Sequence, residues 1–366
     1  MMVWCALIAC LIFIKLALGE LNTTGKRKAY LTLAGGCCVL VLGLCGYEND
    51  YATDVAVYQR LFTQVAWADW ADIFDVNARL EPGYILFNKL LSCISEDPQI
   101  IVFAEALISV VCACVFIYDS TELVFESFFF YVTLGSMTFA MTAFRQTFAI
   151  SLCLLSLCAL RRKRPIPFVL LVLLATTFHR TALIFLCAYP LCRLPVLRRH
   201  RLLLIPGILL VVAASPLIIQ LGYRLLGSED YAIPGEQVLS VNGLVPIILY
   251  AVSVVADLIG DRRAVSGAGE NGTEQLPRPD LDQTTILTAA GLGLYFLRFY
   301  QMVLERAAFY FTPCSVVGLA RLTARLRNME YGLLAKMLIL ALCVVLFLHR
   351  ISGMVAADYT FFWNLR

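Results

Sequence analysis

Continuous apolar runs, set apart by short polar segments, repeat from one end of this chain to the other. A run such as residues 331–349 (YGLLAKMLILALCVVLFLH) leaves a helix almost no face with which to meet water. A hydrocarbon core about 30 Å thick takes roughly 20 apolar residues per helical crossing, and fewer where helices pack or kink in a bundle. The whole chain fits that solvent: 60% of residues are hydrophobic, 15% are charged, and the mean hydropathy is +0.80, which excludes an ordinary soluble domain. A membrane β-barrel would alternate polar and apolar positions in segments of about ten residues, and these runs do not alternate. The expected fold is therefore all-α, a polytopic transmembrane bundle of ~10–13 membrane helices. The opening MMVWCALIACLIFIKLALG lacks the basic n-region of a secretory signal and reads as the first membrane helix.

Net charge is only +3, so it is the distribution of charge that informs. Lys and Arg gather at 26–28 (KRK), 161–164 (RRKR), 198–201 (RRHR), 262–263 (RR) and 321–327 (RLTARLR). Short basic loops stay cytoplasmic, so these clusters orient the chain. Helices are expected at about 2–19, 30–46, 99–118, 123–142, 146–160, 166–178, 181–192, 202–219, 243–259, 284–300, 307–320 and 331–349, with both termini outside. The short pair 166–178 and 181–192 also fits one kinked helix or a re-entrant hairpin. Segment 260–283 (GDRRAVSGAGENGTEQLPRPDLDQ) is rich in Gly, Pro and charge and reads as a flexible cytoplasmic loop. Residues 1–366 are expected to form a single integral membrane domain.

Most of the 14 cysteines lie inside apolar runs, where cysteine is a small hydrophobe. His179, His200 and His349 are too scattered for a zinc site, no H-E-x-x-H pattern occurs, and no phosphate-binding Gly-rich loop is present. No metal, cofactor or nucleic-acid partner is expected.

On this topology the longest outer segment is 47–98, an acidic and aromatic loop containing an amphipathic helix. Nine acids (Glu48, Asp50, Asp54, Asp69, Asp72, Asp75, Glu81, Glu96, Asp97) stand against Arg60, Arg79 and Lys89. Such a loop is disfavoured at the anionic cytoplasmic surface. Tyr47, Tyr51, Tyr58, Trp67 and Trp70 suit either an interfacial aromatic belt or stacking against sugar rings. Glu81 precedes a Pro82–Gly83 break into the helix of LEPGYILFNKLL, where a carboxylate either caps the helix or acts in chemistry. Arg145 lies between two apolar helices with no charged neighbour in sequence, a costly place unless it meets an anion or water. His179 and Arg180 interrupt an apolar stretch at an expected outer tip, on the face shared with Glu81 and Arg145. Arg298 and Arg306 add two outer cations. Guanidinium groups bind phosphate oxygens bidentately, so this collection points to a phosphate-rich ligand.

Taken in order, NDYATDVAVYQRLF, EPGYILFNKLL, FRQTFAISLCLLSL with RRKR, ATTFHRTALIFL, ERAAFYF and the closing DYTFFW resemble the EpsG family of polysaccharide polymerases, related to the Wzy-type O-antigen polymerases. The resemblance implies a GT-C-like polymerase architecture and a metal-independent glycosyltransferase of the bacterial cytoplasmic (inner) membrane, its active site facing the periplasm or exterior. It would join oligosaccharide units carried on undecaprenyl pyrophosphate, amid membrane lipids, with a flippase and a chain-length regulator as partners. The family's DY element matches Asp50 and Tyr51, its E-x-GY element Glu81, Gly83 and Tyr84, its RQ element Arg145 and Gln146, and its FH element Phe178 and His179. Arg180 departs from the small residue or proline expected after that histidine.

The roles expected from both lines are Glu81 or His179 as the catalytic base, Arg145 with Arg298, Arg306 and Arg180 on the pyrophosphate, and Asp50, Tyr51, Tyr84 and Gln146 on the glycan. The rival readings are an O-antigen ligase, which would carry similar outer residues, a transporter or flippase for the lipid-linked glycan, and a structural subunit of an envelope complex with no chemistry of its own.

Overall fold

The computed structural model describes residues 1–46, 54–214, 216–217, 241–267, 282–299, 302–326, 329–353 and 359–365. The chain divides into two compact units, one built from Met1–Leu183 and Tyr331–Arg366 and the other from Ile184–Glu330. In the first unit α1 (Met2–Leu18) packs on α2 (Thr24–Gly43), which begins with the Thr23 hydroxyl accepting the Lys26 N–H. Then come α3 (Asp54–Trp67), α4 (Pro82–Ser92), α5 (Gln99–Ser120), α6 (Val124–Thr133), α7 (Ser136–Ala140), α8 (Phe144–Arg161) and α9 (Pro165–Thr176). A 3-10 stretch, Arg180–Cys187, leads into the second unit. That unit holds α10 (Ala188–Arg193), α11 (Pro195–Arg199), α12 (Leu204–Ala213), α13 (Val241–Gly267), α14 (Gln283–Tyr295) and α15 (Ser315–Leu326). Helix α16 (Gly332–Ser352) returns to the first unit, where β2 (Thr360–Phe361) pairs antiparallel with β1 (Cys45–Gly46).

Among the described residues α5, α8 and α16 are each long and apolar enough to cross a membrane, and α1, α6, α9 and α12 are shorter apolar helices. The surface agrees with a lipid solvent. On α5 the exposed residues Phe103, Leu107, Val111 and Val115 recur every four positions and so form one apolar stripe, while the opposite face packs on α2 and α8. Leu333, Leu334, Met337, Leu338, Leu342 and Val345 expose α16 in the same way. The chain is a helical membrane protein.

Charge sorts to the ends of the first unit. Arg27 pairs with Glu122 (2.7 Å), Arg162 with Asp119 (2.7 Å) and Lys336 with Glu126 (2.6 Å), which gathers the 26–28 and 161–164 clusters at the end of α8 marked by Arg161. Arg145 lies at the other end of that helix. The two basic clusters thus share one side, as the topology requires.

Several expected helices are interrupted. The 123–142 helix breaks at Gly135, whose φ of 118° suits glycine and where any side chain would overlap the Arg350 guanidinium. In place of 181–192 the chain forms the 3-10 stretch and α10. After Tyr295 the 284–300 helix tightens into 3-10 turns, and 307–320 becomes 3-10 turns around Pro313 before α15, which runs on to Leu326. Helix α13 continues through Gly267 into the expected 260–283 loop, while residues 268–281 lie outside the described residues.

Candidate active site

Glu81 begins α4 with extended backbone (φ −69°, ψ 132°), and Pro82, which lacks an N–H, occupies the first helical position. Its carbonyl accepts the Tyr84 N–H at 3.1 Å, so the backbone starts the helix. The carboxylate does not cap it. It reaches instead toward α8 and the chain leaving α9. Gly83 makes that reach possible, because Thr177 fills the space where a Cβ would lie: it would stand 2.6 Å from the Thr177 Cβ and 2.7 Å from its carbonyl oxygen. With no side chain in the way, the Tyr84 N–H also donates to the Thr177 carbonyl at 3.2 Å, joining the start of α4 to the end of α9. The next residue, Phe178, packs against Phe87 and Phe148 (ring centroids 5.8 and 5.6 Å), which fixes the backbone that carries His179 and Arg180.

The Glu81 side chain is buried, 5% exposed, and surrounded by positive partners. Arg145 Nη1 donates to Oε2 at 2.6 Å and the Arg180 backbone N–H donates to Oε1 at 3.2 Å. His179 Nδ1 lies 3.4 Å from the same Oε1, at the long edge of hydrogen bonding. Nδ1 is buried with no tighter acceptor. Burial pushes the Glu81 carboxyl up, but the His179 contact, the Arg145 guanidinium and the Arg180 N–H together outweigh it and hold it down at about 2. Glu81 is a fixed anion at neutral pH.

Arg145 occupies the first turn of α8, where the helix dipole disfavours a cation, and Glu81 offsets that cost. Beneath it the Tyr58 ring stacks on Phe144 (5.1 Å, 15°) and meets Tyr84 edge-on (5.8 Å). Tyr58, Phe62, Tyr84, Ile101, Phe144 and Phe148 belong to one buried cluster under the site. The Arg145 side chain is 26% exposed, so part of its guanidinium is open to an incoming anion.

The structure therefore brings Glu81, Arg145, His179 and the backbone of Arg180 together from α4, α8 and the end of α9. The Arg180 side chain is exposed, so its contribution here is the backbone N–H. Tyr84 and Gln146, expected to bind glycan, are 0% and 2% exposed, and in this conformation they support the site from below instead of presenting a surface to sugar. Asp50 and Tyr51 lie outside the described residues. Arg298 and Arg306 belong to the second unit. There Arg298 pairs with Glu305 (2.8 Å) and donates to the Tyr295 hydroxyl (2.8 Å), and Arg306 lies at the surface. Sequence reasoning passed over Thr177 and the Arg180 N–H, since no side-chain pattern marks a backbone contact.

A second polar cluster sits in the second unit. Arg321 bridges Asp257 (2.5 Å) and Asp282, and the Thr285 hydroxyl donates to Asp257 at 2.7 Å. It ties α13, the start of α14 and α15 together. Among the described residues no group of three or more His, Cys, Asp or Glu is placed to hold a metal ion.

The sequence model of the EpsG family matches residues 33–363, a span that includes the whole Glu81 cluster. No curated protein and no solved structure matches the chain significantly.

Proposed function

Because a match over nearly its whole length makes this chain a member of the EpsG family of Wzy-like polysaccharide polymerases, we propose that it joins glycan units carried on undecaprenyl pyrophosphate at the outer face of the bacterial inner membrane. The observation that carries this reading is one buried carboxylate held at once by an arginine, a backbone N–H and a histidine.

An acceptor hydroxyl oxygen attacks the anomeric carbon of the donor glycan. The new glycosidic C–O bond forms as the bond from that carbon to the pyrophosphate oxygen breaks, and lipid pyrophosphate leaves with the electron pair. Two demands follow: a base for the hydroxyl proton and cationic stabilisation for the leaving group. A carboxylate held near 2 is a poor base at neutral pH, since the favoured catalytic pKa lies near the working pH. His179 fits better. With Nδ1 turned to Glu81, Nε2 is the nitrogen that takes the proton, and Glu81 stabilises the imidazolium that results. Arg145, anchored through Nη1, offers the exposed part of its side chain to the pyrophosphate. No step requires a metal, and the proposed activity goes with a GT-C-like polymerase architecture. A flippase would supply the lipid-linked units outward, and a chain-length regulator would act beside the polymerase.

The test is to delete the gene and complement it with wild type, Arg145→Ala and His179→Ala at matched membrane expression, then resolve the surface glycan on a gel. The reading expects both variants to deliver single repeat units outward without a polymer ladder. Units stranded on the inner leaflet would point to transport, and a normal ladder from both variants would refute the assignment.

A further inference from the structure

The segment between α3 and Glu81 turns aromatic rings outward where an apolar surface has no partner among the described residues. Trp67 is 78% exposed and Trp70 54%, while Ile73 in the same turn is buried in the cluster that underlies Glu81 and Arg145. Lys89 of α4 holds the turn from beneath: Nζ donates to the Ala66 carbonyl (3.0 Å) and the Ala68 carbonyl (2.6 Å) and lies 5.5 Å from the Trp70 ring centroid. One face of Trp70 is thus covered by a buried ammonium and the exposed surface lies away from it. The Trp70 ring and the backbone on either side of Trp67 are held before anything binds, which lowers the ordering cost of binding.

The charges around the rings select the occupant. Exposed Asp69, Asp72 and Asp75 alternate with Trp67, Trp70 and Phe74, and no basic residue falls between 67 and 75. Sinking these rings into a lipid interface would take three carboxylates with them, against both desolvation and anionic headgroups. Carboxylates beside open aromatic faces suit a polyhydroxylated chain, since sugar C–H faces pack on the rings while hydroxyls donate to the acids. The same acids repel a polyanion.

We infer that Trp67 and Trp70, flanked by Asp69 and Asp72, form a docking platform for an uncharged stretch of the growing glycan. This rests on the polymerase reading and adds to it a site and a substrate class: a polymer whose repeat carries no carboxylate or phosphate. The platform and the reaction site share one buried core, so the turn would hold the chain while the next unit is joined.

The test uses the full chain in the complemented deletion strain and in nanodiscs. Trp67→Ala and Trp70→Ala are expected to shorten the polymer as chains leave sooner, by about 2- to 10-fold in retention per ring, with Trp67→Tyr restoring length and Trp363→Ala without effect. In nanodiscs of dibrominated phosphatidylcholine, the emission lost in Trp67→Phe/Trp70→Phe relative to wild type is expected to be unquenched. Strong bromine quenching would overturn the proposal in favour of an interfacial anchor. Unchanged polymer length in both alanine variants would overturn it, as would an anionic group in every repeat of the strain's polymer. Failure of the polymerase reading registers separately, as a normal ladder from Arg145→Ala.

Discussion

Gly83→Ala tests how the site is assembled without touching any group that reacts. The added methyl would meet the Thr177 hydroxyl, stand 2.6 Å from the Thr177 Cβ and 2.7 Å from its carbonyl oxygen. The hydroxyl can rotate away, but the carbonyl cannot, because it ends α9 and accepts the Tyr84 N–H. The start of α4 must therefore retreat by about 0.7 Å to reach ordinary contact distance. That retreat falls on the bonds that define the site, the 3.2 Å Arg180 N–H to Glu81 contact and the 3.4 Å His179 contact. Overpacking of this kind costs about 1–3 kcal/mol of stability, and a misplacement near 1 Å costs about 100-fold in rate. The assay is the surface-glycan ladder at matched membrane expression, together with the rate of joining by purified protein. Thr177→Ala in the Gly83→Ala background removes only the hydroxyl overlap, so rescue is expected to be partial. A Gly83→Ala protein that polymerises at the wild-type rate would refute the close approach as the device that positions Glu81.

Glu81→Gln keeps the shape and removes the charge. Turnover should fall by roughly 10²-fold or more as His179 loses its anionic partner, with a KM rise smaller than the kcat loss in steady-state assays. Its stability defect should depend on pH. The Glu81 carboxyl is held at about 2 against an ordinary 4.5, so its contribution, about 3 kcal/mol, is fully present above 4.5 and is lost as pH falls through 2. Thermal inactivation midpoints of wild type and Glu81→Gln should therefore differ at pH 7 and converge toward pH 2. In the second unit Asp257→Asn leaves Arg321 short of its main buried partner, and a loss of about 3 kcal/mol should appear as a lower inactivation temperature. Chelation by EDTA should leave joining by the purified protein unchanged.

Much of the bundle was legible because lipid imposes length and continuity: α1, α5, α8 and α16 fall where apolar runs of the right size fall. So was the grouping of Glu81, Arg145 and His179, which follows from charge at the ends of apolar runs. Helix α3 was less visible. Val55, Tyr58, Leu61, Phe62 and Val65 carry a helical period, but the acids and tryptophans around them give the segment a loop's composition. Gly135 breaks the helix with a positive φ and lies against Arg350, more than 200 residues away, a contact that no local pattern announces. Arg321 read as one more basic marker of topology because its partners, Asp257 and Asp282, come from distant segments. Glu305 neutralises Arg298 across irregular 3-10 turns, where helical spacing rules do not apply. The strength with which His179, Arg145 and the Arg180 N–H together hold the Glu81 carboxylate was hidden, since these partners come from other segments and one of them is a backbone contact that sequence does not display.

The most direct test is joining by the purified full chain in proteoliposomes supplied only with undecaprenyl-pyrophosphate-linked repeat units, comparing wild type with Arg145→Ala and His179→Ala. The account predicts a product ladder and released undecaprenyl pyrophosphate from wild type, and neither from the variants. Polymer formed equally by all three proteins, or none formed by active, correctly inserted wild type, would contradict it.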